Sequence, residues 1–562
     1  MNTINIPVGT SNFAEIRKKG SYFIDKSGLI EQLLKIKDRK VTLITRPRRF
    51  GKTLCMSMLS EFFDIQKNSK SLFAGLSVID NTALCRHWMN QYPTLFLTFK
   101  SVDGLNFSGA YAQLASVIAE LYKKHIYLTD SERIHPLDKE QFLMVAAEKA
   151  NLKDIKNSLL KLTQLMELYY GKPVILLIDE YDVPLAKASE KGYYTEMLDA
   201  VKGILQVIKA NNSLEFAVIT GCLRIAKESI FTGTNNFVSD TISDTQLNEY
   251  FGFTQREVDC LLADTNLTSY ASELREWYDG YHFGDFDVYC PWDVMNHVQN
   301  LLLNPDSKPK NFWKNTSDNA IIRSFLRRTD FDINDKYETL LAGGYIIESI
   351  EDNLTYDILA SSEENLWSLL YLTGYLTRVR PETLPDLCLL PGQCALKIPN
   401  AEVLGIFKKS VKAWLIETAA KEDRKNLFAA LWDGNAKLLT ELISDLLFDT
   451  ISYHDYAESF YHAFLIGLFS NAGYRIESNY ENGLGRSDIV IKDRKNRRAV
   501  VLEAKRAYYE NQLESECDKA LAQIANKQYA EKVERDGYKN VKKLGVAFFQ
   551  KKCLVKKSAD TR

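Results

Sequence analysis

The spacing of apolar and polar positions divides the first 240 residues into short apolar runs separated by longer amphipathic stretches. Runs at 41–45, 94–99, 174–179 and 215–220 are rich in β-branched and bulky apolar residues and read as strands. The run VILLI, opening the segment 174–179, is apolar throughout, which marks a strand buried on both faces of a parallel sheet. Helical patterns lie between the runs. Strands alternating with long helical segments predict an α/β fold, a parallel sheet with helices on both faces.

Beyond about residue 241 the pattern changes to short helices and aromatic-rich turns. The segment WYDGYHFGDFDVYCPWDV, 277–294, reads either as a base-stacking surface or as the small core of a lid; the second reading is the more economical. Residues 330–451 give mixed helical patterns and turn clusters without recognisable chemistry. Near the C-terminus, Phe460, Phe464, Leu465 and Leu468 have helical spacing. A strand at 474–477 follows, then two more at 487–491 and 500–505 that flank the basic turn KDRKNRR and predict an antiparallel hairpin. These changes divide the chain into 1–240, a helical lid region 241–345, a middle region 346–450 and a C-terminal domain 451–562.

Two places in this pattern carry chemistry. After the strand at 41–45, the sequence RPRRFGKTL turns and opens an amphipathic helix with Gly51-Lys52-Thr53. A helix N-terminus presents unpaired N–H groups and a positive dipole end, so phosphates bind there. Lys52 is placed to reach the β- and γ-phosphates of a nucleotide, and the Thr53 hydroxyl to hold Mg²⁺. Arg46 stands where the pattern G-x-x-x-x-G-K-[ST] has its first glycine. The strand at 174–179 ends in Asp179-Glu180, at the strand end where open α/β sheets bind ligands. Asp179 can hold Mg²⁺ through water, and Glu180 can polarise the water that attacks the γ-phosphate. A strand ending in two solvated acids is the plainer alternative. Thr220, ending the strand at 215–220, is placed to sense the γ-phosphate. Arg224 and Lys227 follow at an apparent helix start and either contact phosphate or pair with surface acids.

The second place is the C-terminal hairpin. Period-two alternation puts Glu503 and Lys505 on one face of their strand, with Asp488 heading the partner strand. Two carboxylates and a lysine at one sheet edge suit metal-dependent phosphodiester cleavage: carboxylates bind a hard cation, and lysine orients water or neutralises charge. A surface salt bridge is the alternative. Arg486, Lys492, Arg494, Lys495, Arg497, Arg498 and Arg506 crowd the hairpin and suggest contact with a phosphate backbone. Gln523, on a downstream helix, is positioned to approach the site, and Glu458 lies near the start of the preceding helix.

Composition narrows the class. A chain of 562 residues exceeds one core, and a net charge of −2 exerts no global pull on nucleic acid, so any such surface is local. The nine cysteines form no C-x-x-C pair, which speaks against zinc and against a disulfide framework. The N-terminal residues lack signal-peptide character, and no apolar run approaches membrane-spanning length. A cytoplasmic protein with no membrane partner is expected.

With both ends described, the chain resembles a mostly bacterial family joining an AAA-ATPase-like domain to a C-terminal domain of the PD-(D/E)XK nuclease superfamily. The resemblance rests on LITRPRRFGKTL, LLIDEYDVPL, ITGCLRIAKESIF, WYDGYHFG, VYCPWDV, ESFYHAFL, GRSDIVI and VLEAK, and spans nearly the whole chain. It implies a P-loop (AAA/RecA-like) sheet and a C-terminal α/β restriction-endonuclease-like domain. It also implies a nucleotide site built from Arg46, Pro47, Arg48, Arg49, Phe50, Gly51, Lys52, Thr53, Leu54, Asp179, Thr220 and Arg224, with Glu180 catalytic. In the C-terminal domain it implies Asp488, Glu503 and Lys505 as the catalytic core, with Asp488, Glu503 and Glu458 as metal ligands and Gln523 in support. Ser487 stands in place of the superfamily's proline. The cofactors implied are ATP and Mg²⁺, with Mn²⁺ an acceptable substitute at the second site. The expected activity is an ATPase controlling a Mg²⁺-dependent nuclease that acts on DNA or RNA, with homo-oligomer formation compatible. A nucleotide-dependent switch or scaffold, binding nucleic acid or a partner without cutting, is the competing reading.

Overall fold

The computed structural model describes residues 4–209, 211–224, 237–313, 334–352, 354, 356, 362–384, 389–410, 425–448, 458–469, 474–482, 485–526 and 529–558. The chain divides into two compact units, one of Met1–Trp313 with Ile347–Glu402 and the other of Lys314–Ile346 with Val403–Arg562.

The first unit is built on strands β1 (Val41–Thr45), β2 (Thr94–Thr98), β3 (Val174–Asp179), β4 (Leu214–Gly221) and β5 (Phe237–Asp240). They form one parallel sheet in the order β2-β3-β4-β1-β5. Alternate residues explain its burial. Ile44, Ile175, Leu177, Phe216 and Val218 enter a core with Met56, Leu59, Phe62 and Phe63 of helix Lys52–Phe63. The intervening Leu43, Leu176, Ile178 and Ile219 are equally buried, so both faces are covered. The four apolar runs of the sequence are therefore strands β1 to β4. The fifth strand, FVSD, is too short and too polar to stand out as one. Because β3, β4 and β1 are neighbours, Asp179, Thr220 and the loop after Thr45 emerge side by side at one edge of the sheet.

The aromatic segment supplies a hairpin, β6 (Tyr281–Phe283) with β7 (Phe286–Val288), and then helix Pro291–Leu303. Tyr281 and Phe283 each lie 5.0 Å from the ring of Phe50, so these aromatics form a packed core around the loop after β1. In the first turn of helix Pro291–Leu303, Asp293 is buried and accepts from Trp313 Nε1 at 2.9 Å. Glu402 is hydrogen-bonded to Asp293, and its Oε1 accepts both the Phe312 and Trp313 backbone N–H groups. Burial and the neighbouring Asp293 push the Glu402 carboxyl up to about 10, so the pair shares a proton. A small sheet of β8 (Ile346–Ser349), β9 (Thr377–Arg378) and β10 (Gln393–Lys397) runs in the order β8-β10-β9.

The second unit contains a mixed sheet of β11 (Arg475–Asn482), β12 (Gly485–Asp493), β13 (Arg498–Arg506), β14 (Asn540–Phe549) and β15 (Lys552–Lys557), in that order. Only the β13–β14 pair is parallel, and helix Leu513–Asn526 makes its crossover. Val500, Leu502 and Ala504 pack with Leu431, Phe464 and Leu468, while Ala499 and Val501 pack on the opposite face with Ile524 and Val533. Among the described residues, no helix is long and apolar enough to cross a membrane.

Candidate functional site

In the first unit the loop after β1 is shaped by two left-handed residues, Arg49 (φ 72°) and Gly51 (φ 84°). At Gly51 the conformation, not crowding, demands glycine, since nothing lies within 4 Å of an added Cβ. Gly51 caps helix Lys52–Phe63 with no side chain bonded to the first-turn N–H groups, which leaves that end able to receive an anion. The Lys52 ammonium is buried and donates to the carbonyls of Arg46 and Pro47, both at 2.8 Å. Thr53 follows at the half-buried start of the helix.

Arg46 does something the loop pattern did not reveal. Its side chain turns into the core, fully buried, and donates to the Thr45 carbonyl at 2.7 Å and to the Asp240 carbonyl at 2.8 Å. It also pairs with the Asp240 carboxylate at the end of β5, and its guanidinium lies 5.1 Å from the Phe251 ring. Arg46 therefore pins the root of the loop to the edge strand, and only its backbone faces the loop. Burial lifts the Asp240 carboxyl, and contact with Arg46 opposes the lift.

The two acids of β3 occupy different surroundings. Asp179 is fully buried; its Oδ1 accepts from Thr220 Oγ1 at 2.6 Å, and its Oδ2 is buried without a hydrogen-bond partner. Glu180 holds a left-handed backbone (φ 55°), uncommon for a non-glycine residue and aiming its side chain off the strand end. Burial, then repulsion from Asp179, raises the Glu180 carboxyl above the ordinary range, against the pull of Lys52 and Lys100. Asp182 is also buried and raised by burial; its Oδ2 accepts the Cys222 and Leu223 N–H groups at 2.9 and 3.0 Å. It thereby fixes the strand β4 exit, where Arg224 is half-buried.

These pieces border a cavity of about 400 Å³ lined by residues 48–54, Lys100 and Glu180. Its other walls come from residues 7–11 and 22–24, and from Tyr250, Phe253 and Trp292. Five lining side chains are cationic (Lys26, Arg48, Arg49, Lys52, Lys100) against the single carboxylate of Glu180, a balance that suits a polyanion beside an apolar slot. Arg49 is steadied by Trp292, 5.3 Å away, and by donation to the Phe312 carbonyl. Of the expected residues, 48–54 and Glu180 line the cavity directly. Asp179, Thr220, Arg46, Pro47 and Arg224 are not in its wall, and Lys227 lies outside the described residues. Lys100 and Trp292 were missed. Lys100 sits two residues beyond β2, at the same sheet edge, a position that strand order alone could have flagged.

In the second unit Glu503 is buried, and Gln523 Nε2 donates to its Oε1, with Lys505 Nζ 3.7 Å from the same oxygen. The contact depends on Gly545, paired with Glu503 in the ladder, because a Cβ there would lie 2.6 Å from the Cys517 carbonyl and hold the helix off the sheet. The Ile489–Leu502 pairing carries Asp488 to the register position beside Glu503. Glu458 opens helix Glu458–Phe469, one turn before Tyr461, whose ring stacks on Phe548 at 4.2 Å. The side chains of Glu458, Ser487 and Asp488 lie outside the described residues.

The basic hairpin turn lies away from the Glu503 end of the strand. In an antiparallel pair the connecting turn lies at the far end from the last residues of β13, so 494–498 are separated from Glu503 by roughly 17 Å of strand. Lys492 is engaged by Glu477 at 2.9 Å and Asp536 at 3.2 Å, and Arg498 by Asp493 at 2.8 Å. Of the expected cations, Lys505 and Arg506 of β13 and the strand position of Arg486 in β12 stand at the end of the hairpin where Glu503 lies.

Comparison with known proteins identifies a part of each unit. Residues 7–231 match the family model described as a predicted AAA-ATPase, and residues 456–558 that of the PD-(D/E)XK nuclease superfamily. The chain carries an AAA-ATPase-like domain and a PD-(D/E)XK nuclease-superfamily domain. The first match contains the whole wall 48–54 with Lys100 and Glu180; the second contains Glu503, Lys505 and Gln523. The chain is also similar to an uncharacterized protein in the vnfD 5′ region of Azotobacter chroococcum mcd 1. That protein is 25% identical over 506 residues, covering 87% of each chain.

Proposed function

We propose that the AAA-ATPase-like domain binds and hydrolyses ATP and controls phosphodiester cleavage of nucleic acid by the C-terminal domain. The observation carrying the first half is the cationic cavity in which the uncapped helix end, Lys52 and Glu180 meet. Phosphates lie against the N–H groups after Gly51, with Lys52 leaving the Arg46 and Pro47 carbonyls to meet them. Thr53 and Asp179 would hold Mg²⁺; the unpartnered Asp179 Oδ2 suits a cation or its water. When bound, the ion neutralises charge on the phosphates. Glu180, displaced from the strand axis, takes the proton of the attacking water.

At the C-terminal site Glu503 and the position of Asp488 would hold Mg²⁺ or Mn²⁺, with Glu458 as a further acid. Gln523 orients Glu503, and Lys505 places the attacking water and balances charge on the phosphate. The bound metal would lower the pKa of its water. The test is cleavage of labelled duplex DNA, single-stranded DNA and RNA with Mg²⁺ or Mn²⁺, with and without ATP. Wild type is run beside Lys505→Ala and Lys52→Ala. Cleavage lost in the first variant and altered in the second supports the proposal. ATP hydrolysis with no cleavage of any substrate hands the protein to the switch or scaffold reading.

A further inference from the structure

The turn after β13 displays a feature that the cleavage chemistry does not use. Tyr508 and Tyr509, 69% and 67% exposed, are the two most exposed aromatic side chains among the described residues. They stand three and four positions past Lys505, within about 10–14 Å of it along the chain. Exposed aromatic rings lose apolar contact with water only when something covers them, and adjacent rings at a site edge are a costly surface to leave to chance.

The turn holding them is not loose. The Ala507 N–H donates to the Phe548 carbonyl at 2.8 Å, continuing the β13–β14 ladder by one residue. The Tyr508 and Tyr509 N–H groups both donate to Gln512 Oε1, at 3.1 and 3.3 Å, and the Gln512 N–H donates back to the Tyr509 carbonyl at 3.0 Å. The backbone is thus pinned at both ends while the rings face outward. The Arg506 guanidinium lies 4.9 Å from the Tyr508 ring centroid, placing a cation on the same ledge. Glu510, the acid nearest in sequence, is engaged by Lys552 at 2.6 Å. The basic 494–498 turn is at the opposite end of the hairpin, so this ledge is what adjoins the Glu503–Lys505 site.

We propose that Tyr508 and Tyr509, with Arg506, form a stacking ledge for unpaired bases of the nucleic-acid strand whose backbone meets Lys505. Every base has a π-face, so the ledge grips strands without reading sequence, and it favours single-stranded or opened segments over intact duplex. Arg506 contacts the phosphate between stacked bases. The inference rests on the reading of the C-terminal domain as acting on nucleic acid, but not on that domain cutting it.

The experiment uses the full-length protein with EDTA, so that binding is read without cleavage, and 2-aminopurine-labelled single-stranded DNA and RNA beside a fully paired duplex. The double variant Y508A/Y509A is expected to bind single strands about a hundredfold more weakly, about tenfold per ring, and to lose the change in 2-aminopurine fluorescence. Y508F/Y509F keeps both, since the ring and not the hydroxyl does the stacking. Duplex binding changes less than about threefold. Thermal melting equal to wild type shows that the exposed substitutions leave the fold unharmed. Unchanged affinity in the alanine variant, equal losses in the phenylalanine variant, equal losses on duplex, or a wild type that binds no nucleic acid would each overturn the ledge. Cleavage surviving in Lys505→Ala, tested separately with metal, would instead remove the assigned cutting site and leave the ledge standing.

Discussion

Each unit places carboxylates at the end of a sheet, yet the two arrangements are assembled differently. In the AAA-ATPase-like domain, acid and cation come from separate strands: Glu180 follows β3, and Lys52 follows the loop after β1, where its ammonium is held by the Arg46 and Pro47 carbonyls. In the PD-(D/E)XK domain, Glu503 and Lys505 alternate along one strand and meet at 3.7 Å. In the first arrangement the acid and the cation both line one cavity. The second comes with its charges already paired across 3.7 Å. Separate strands give the first site room; a shared strand gives the second fixed spacing.

The largest break in this comparison should come from Glu180→Gln, which keeps shape but removes the base. ATP hydrolysis should fall about 10²- to 10⁴-fold in a phosphate-release assay, with ATP binding retained. Because burial raises this carboxyl, wild-type hydrolysis should climb with pH through a point above the ordinary value of 4.5, and the climb should vanish in the variant. Next is Asp240→Ala, which strands the buried Arg46 charge. It should cost about 3–5 kcal/mol of stability in denaturant unfolding and weaken ATP binding through the loop root. Third, Lys505→Ala should reduce cleavage about 10²- to 10³-fold while ATP hydrolysis stays at the wild-type rate. Equal damage to both activities would erase the distinction between the two sites.

The smallest effect concerns the shared proton of Asp293 and Glu402. Glu402 is raised in the folded chain, so its stabilisation is complete below the ordinary 4.5 and is lost as pH climbs towards about 10. Between about pH 7 and about pH 8 the wild type should therefore lose at most about 1.4 kcal/mol, measured by unfolding. Glu402→Gln can accept the Phe312 and Trp313 N–H groups and donate to Asp293, so it should be free of that slope. A slope that persists in Glu402→Gln would place the proton elsewhere.

Local pattern carried much of the fold. Uninterrupted apolar runs disclosed β1 to β4, and two runs flanking a basic turn disclosed the β12–β13 hairpin. Strand β5 escaped because FVSD is four residues long, three of them half-exposed. Strands β14 and β15 escaped because lysines flank their short apolar centres. The loop around Lys52 was legible because its turn and helix start are set by adjacent residues. The far walls of its cavity were not, since residues 7–11 and Trp292 reach it only through long-range packing. For the basic turn, proximity in sequence places cations in the hairpin but does not say which end they occupy.

The Arg46–Asp240 pair has a consequence for how such a loop can change over generations. Restoring glycine at position 46 would match the common loop pattern yet abandon the Asp240 carboxylate in the core. Replacing Asp240 first would abandon the arginine instead. Each single step passes through a damaged protein, so the two positions can be exchanged only together. A lineage that has acquired the pair is held to it by its own intermediates, 194 positions apart in the chain.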